Sequence, residues 1–228
     1  MIELSLIQKI IVCVPPILLA VTLHEVAHGW MAKLYGDRTP EMMGRLSLNP
    51  IKHIDPIGTV LLPAFMAITT GFIFGWAKPV PISFDHLRHP KKDMAKVALA
   101  GPGANLIMMI LWVVILKIIL ALPSSLNWLS VPLLYMSAVG VYINCILMVL
   151  NLLPVPPLDG SRVLASYLPN SMAYKFSKIE PYGMIILVAL LFLGLLGIIL
   201  LPVINAVMGL FSSIAGIDIS RLVYILFS

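Results

Sequence analysis

The chain has 228 residues, of which 60% are hydrophobic and 11% charged, and its mean hydropathy is +1.02. A soluble domain carries about 25% charged residues, so there is too little polar surface here to face water, and a lipid bilayer is the expected surroundings. The net charge of +5 does not point to nucleic acid, because the bases gather in loops between apolar runs, where they orient helices in a membrane.

The whole chain, 1–228, reads as one membrane-embedded domain with an all-α polytopic fold. About four spanning helices are expected, with a re-entrant or partly inserted segment and a short strand-like element. A spanning helix needs about 20 mainly apolar residues, and five stretches approach that length: 6–34, 57–75, 103–122, 131–153 and 183–209. Residues 210–227 read as a shorter interfacial or packed helix. The opening MIELSLIQKIIVCV places Glu3 early and has no basic segment or small-residue cleavage site, so it reads as a retained helix. Cys13 and Cys145 lie inside apolar runs and read as small buried hydrophobes.

The loops set the topology. Lys33, Arg38, Arg45 and Lys52 follow the first stretch, and Lys78, Arg88, Lys91, Lys92 and Lys96 follow the second. PSSLNWLS, between the third and fourth, has no Lys or Arg, whereas Arg162, Lys175 and Lys178 follow the fourth. By the positive-inside rule the basic loops are cytoplasmic and PSSLNWLS is outside. Stretch 57–75 then has both flanks on one side, so it dips in and returns; Pro63, Gly71 and Gly75 suit such a course. WAKPVPISF, residues 76–84, reads as an edge strand because proline is confined to sheet edges. Such an edge offers itself to an unwound peptide.

HEVAH at 24–28 carries the chemistry. On a helix, His24 and His28 lie one turn apart on one face, so two imidazoles can share one zinc ion while Glu25 takes a proton from water. A charged group at the centre of a spanning helix costs about 2.5–3.5 kcal/mol, which disfavours a merely structural origin. A catalytic zinc site needs a third protein ligand. The candidates are Asp55 in HIDPIG and Asp159 in PPLDGSRV. Asp159 is favoured, because it follows an apolar stretch on the same side as the end of the HEVAH helix. Asn105 in GPGAN places a polar group near the site or serves packing, and the glycines beside it let helices approach closely. His86 and His89, in FDHLRHPKKD, read as solvated.

HEVAH, GPGAN at 101–105 and NLLPVPPLDG at 151–160, in that order, resemble the site-2 protease family of membrane-embedded metalloproteases, in a compact form without a PDZ or CBS domain. The resemblance covers about residues 6–168 as catalytic core and leaves 183–228 as C-terminal helices. It implies one Zn2+ held by His24, His28 and Asp159, Glu25 as base, and Asn151 positioning substrate or stabilising the oxyanion. GRLSLNPIKHIDPIG, 44–58, resembles a stretch of compact members, so His53 is a candidate for bonding substrate or a transition-state oxygen, or for capping a turn. The implied activity is hydrolysis of a transmembrane protein substrate within the bilayer of a bacterial or archaeal cell, at a site opening to the cytoplasm. A membrane metal-binding or transport protein and an inactive membrane scaffold are the alternatives.

Overall fold

A computed structural model describes residues 4–61 and 75–227. The fold is all-α, and no strand forms among the described residues. Helix α1, Leu6–Leu34, starts at a capping box: the Ser5 side chain accepts from the Gln8 amide and the Gln8 side chain accepts from the Ser5 amide. It continues through Pro15 and Pro16. Helix α2 is Pro90–Leu120 and α3 is Asn127–Asn151. Two short helices follow, α4 at Asp159–Tyr167 and α5 at Asn170–Ser177. Then come α6, Gly183–Phe192, α7, Leu195–Ala215, and α8, Ile219–Phe227.

Four segments are long and apolar enough to cross a bilayer: Leu6–Leu34, Pro90–Leu120, Ser124–Asn151 and Leu195–Ala215. The outward sides agree with that. Ile7, Ile10 and Ile11 on α1, Ile107, Ile110 and Ile118 on α2, and Ile198 and Leu201 on α7 are all at least half exposed. So continuous an apolar surface has no place in water. The protein is therefore a multi-pass membrane protein.

The fifth apolar stretch divides. Gly194 adopts φ +71°, its amide donates to the Leu191 carbonyl, and α6 ends. The ten residues of α6 rise only about 15 Å, too little to span, and the crossing falls to Leu195–Ala215. At the far end of α2, Lys117 Nζ donates to the Ile214 carbonyl at 3.1 Å, which brings the ends of α2 and α7 to one side.

Helices α1, α2 and α3 pack mutually, with α7 and α8 against α3 and α4 against α2. Met109, Leu116, Val141, Cys145, Met208 and Ile219 are fully buried in the main core. The stretch 57–75 expected to re-enter falls largely outside the described residues; its first part, through Leu61, is a short helical turn. Residues 76–83 form an irregular extended strap rather than the expected strand. Pro79 and Pro81 lack the N–H that a ladder requires. The strap is held instead by individual bonds: Arg45 Nη2 donates to the carbonyls of Lys78 (2.7 Å) and Pro79 (3.3 Å), and Lys78 N–H to the His53 carbonyl (2.9 Å). Asp37, fully buried, accepts the amides of Thr39 (2.9 Å) and Ser83 (2.8 Å).

Candidate metal centre

The four-residue helical spacing in HEVAH puts both imidazoles on the side of α1 that faces α2. Their Nε2 atoms are 3.1 Å apart, and the rings meet edge to face with centroids 4.7 Å apart. Asp159, first residue of α4, brings Oδ2 to 3.3 Å from His24 Nε2 and 3.2 Å from His28 Nε2. All three side chains are buried. The turn that delivers Asp159 is tight: a Cβ on Gly160 would stand 2.2 Å from the Leu152 carbonyl oxygen, so only glycine fits.

In the neutral rings, the partners of the outer nitrogens select the tautomer. His28 Nδ1 lies 2.8 Å from the Val97 carbonyl, which only accepts, so Nδ1 carries the proton and Nε2 a lone pair. His24 Nδ1 lies 2.6 Å from Asn105 Oδ1 with the same result. With both rings neutral, three lone-pair atoms converge in a buried place, and Asp159 Oδ2 has no hydrogen bond. That arrangement repels itself unless a cation sits among the donors. Tetrahedral zinc with bonds of about 2.0–2.1 Å separates its ligand atoms by about 3.3–3.4 Å, and the observed edges are 3.1, 3.2 and 3.3 Å. Two imidazoles and a carboxylate also suit zinc chemically.

Helix α2 comes unusually close. A Cβ on Gly101 would stand 2.3 Å from His28 Nε2 and 2.6 Å from His24 Cε1. Glu25, next to His24, accepts the Val80 amide at Oε2 (2.8 Å), so the strap is tied to the acid of HEVAH.

The other sequence candidates occupy different places. Asn105, fully buried, touches His24 on the side away from Asp159. Asn151, at the end of α3, donates to the Leu147 carbonyl at 2.9 Å. His53, buried in the loop after α1, donates Nε2–H to the Ser47 carbonyl at 2.8 Å; its Nδ1 has no hydrogen bond among the described residues. Asp55 accepts the amides of Ile57 and Gly58 and serves as a turn cap. His86 and His89 are mostly exposed. Sequence reading missed Asn144, on α3, which bonds to Asn105.

His24, His28 and Asp159 are placed so that they could hold a metal ion, with Glu25 adjoining. The profile of peptidase family M50 matches residues 124–194, a span that includes Asp159 but not HEVAH. Among curated proteins, relatives named "Putative zinc metalloprotease" match the chain. YwhC of Bacillus subtilis is 35% identical over 203 residues, 87% of this chain and 90% of its own length. Rip2 of Mycolicibacterium smegmatis is 28% identical over 188 residues, 82% and 69% of the two chains. Rip2 of Mycobacterium tuberculosis H37Rv is 25% identical over 173 residues, 76% and 63%. No solved structure matches the chain. On this similarity the chain belongs to peptidase family M50.

Proposed function

We propose that the protein is a zinc endopeptidase that hydrolyses a peptide bond in or near a transmembrane segment of another membrane protein. The convergence of His24, His28 and Asp159, with Glu25 adjoining, is the observation that carries this reading. His24 and His28 on α1 and Asp159 on α4 would hold one Zn2+. When bound there, zinc supplies Lewis acidity, which polarises the scissile carbonyl and lets water ionise near neutral pH. Glu25 takes the proton from the attacking water and passes it to the leaving amine as the new C–O bond forms and the C–N bond breaks. The Val80 amide holds Glu25 Oε2 in place, which leaves Oε1 to take the proton.

Hydrolysis requires water, and the basic loops put this end of α1 on the cytoplasmic side. His24 lies ten residues before the end of α1, about 15 Å of rise, so access from the cytoplasm is short. A cavity of about 380 Å³, lined by Phe84, Met94, Pro156, Ser161, Arg162 and Tyr174, adjoins the turn carrying Asp159 and gives a cleaved peptide room to leave. Asn151 keeps its second amide proton and its Oδ1 for positioning substrate, and His53 would act through Nδ1.

The test is cleavage of a transmembrane reporter in proteoliposomes. Glu25→Ala should retain zinc, measured by elemental analysis, while cleavage falls by about 10²–10⁴-fold. Cleavage by Glu25→Ala at the wild-type rate, or by wild type stripped of metal with a chelator, would refute the reading.

A further inference from the structure

We propose that Asn144, which touches none of the three donors, determines which nitrogen of His24 faces the metal. The proposal rests on the reading of His24 as a zinc ligand. Asn144 and Asn105 are both fully buried, on α3 and α2. Asn144 Nδ2 lies 2.7 Å from the Gly140 carbonyl oxygen. A carbonyl only accepts, so the Asn144 amide has one permitted orientation and turns its Oδ1 toward Asn105. Asn105 must then present its NH2, and Asn105 Nδ2 lies 2.8 Å from Asn144 Oδ1. The Ala20 carbonyl, 3.5 Å from the same nitrogen, agrees with that orientation but is too distant to impose it. What remains for His24 is Asn105 Oδ1, at 2.6 Å, so His24 Nδ1 must carry the proton and Nε2 is left bare toward His28 and Asp159.

The opposite orientation of Asn105 would aim an N–H at His24 Nδ1 and move the proton to Nε2, where a metal must bind. His28 needs no such device, because its Nδ1 meets the Val97 carbonyl directly. An asparagine alone is ambiguous, since both its ends can bond a histidine. Asn144 removes the ambiguity by carrying the polarity of a backbone carbonyl on α3 across to an imidazole on α1.

The experiment measures Zn2+ affinity by chelator competition on the purified full chain, with the melting temperature of the metal-free protein as control for folding. Asn144→Leu should weaken zinc about 10–100-fold, as outer partners of metal-bound histidines do. Asn105→Asp in that background should restore it to within about threefold of wild type, since a carboxylate presents only acceptors to His24 and has no wrong orientation. In the metal-free protein, nitrogen-15 shifts should report His24 protonated on Nδ1 in wild type and as a mixture in Asn144→Leu. If Asn144→Leu does not fold, Asn144→Ala, which cannot overpack the site, replaces it in both arms. Wild-type affinity in the Asn144 variant, or a loss that Asn105→Asp does not rescue, overturns the proposal and leaves the ligand reading standing. Zinc bound by His24→Ala as tightly as by wild type overturns both.

Discussion

Two glycines, two positions apart in GPGAN, separate the metal centre from ordinary packing. A methyl group at Gly101 would press on both imidazoles, whereas one at Gly103 meets nothing within 4 Å. Gly101→Ala is therefore expected to weaken zinc binding about 5–150-fold, in line with the about 1–3 kcal/mol that overpacking costs. Gly103→Ala should bind as wild type does, and chelator competition on both variants reads the difference. The pairing of His24 with His28 was legible because a shared ion demands fixed residue types at helical spacing, whereas Asp159 was favoured over Asp55 by its side of the membrane and by the family resemblance. Gly101 was legible as a place where helices approach, but not as the floor under two imidazoles. Asn144 was invisible: a lone asparagine in an apolar helix has no spacing to betray it, and its role exists only through partners on two other helices.

At the scale of elements, the strap shows what composition conceals. In Pro79-Val80-Pro81 only Val80 has an N–H, and that N–H meets Glu25. Sliding the strap by one residue in either direction would set a donor-less proline against the carboxylate, so it has a single docking register. Arg45→Ala removes a charged clasp of the kind that contributes about 1.5–3 kcal/mol. The Val80 amide should then exchange with solvent at least tenfold faster, read by hydrogen exchange. Asp37 anchors the other end of the strap. Burial alone would raise its carboxyl, but the Thr39 hydroxyl and amide, the Ser83 amide and His86 lower it below the ordinary value. The ionised form is thus favoured by folding, and its contribution is present above the unfolded carboxylate value of about 3.9 and fades as pH falls through the lower folded value. Melting temperatures of wild type and Asp37→Asn should differ most near pH 6–7 and converge below about pH 4. The sequence suggested an edge strand here because β-branched and aromatic residues suit one; without a neighbouring strand they form a pinned loop. The split between α6 and α7 was illegible for a related reason: an unbroken apolar run hides which of its glycines turns the chain, and Gly197 and Gly209 remain helical while Gly194 does not.

At the scale of the molecule, the loop charges predict that the residues between α2 and α3 face outside and the start of α2 faces the cytoplasm. Ser125→Cys should react with an impermeant thiol reagent added to intact cells, and Lys92→Cys only after lysis; both positions are exposed, and the wild type's two cysteines give the background. The reverse pattern would invert the topology. The polar thread from Gly140 through Asn144 and Asn105 to His24 has a mechanical consequence. It stitches α1, α2 and α3 together in the interior, where leaving a bonded group without its partner costs about 1–3 kcal/mol each. Sliding α1 past α2 severs the His24–Asn105 bond and sliding α3 past α2 severs the Asn105–Asn144 bond, so relative motion of these helices is opposed at one buried point in each pair. On the proposed function, substrate admission is expected to cost less where no such buried bond ties the elements, at the strap or along the side formed by α4 to α7.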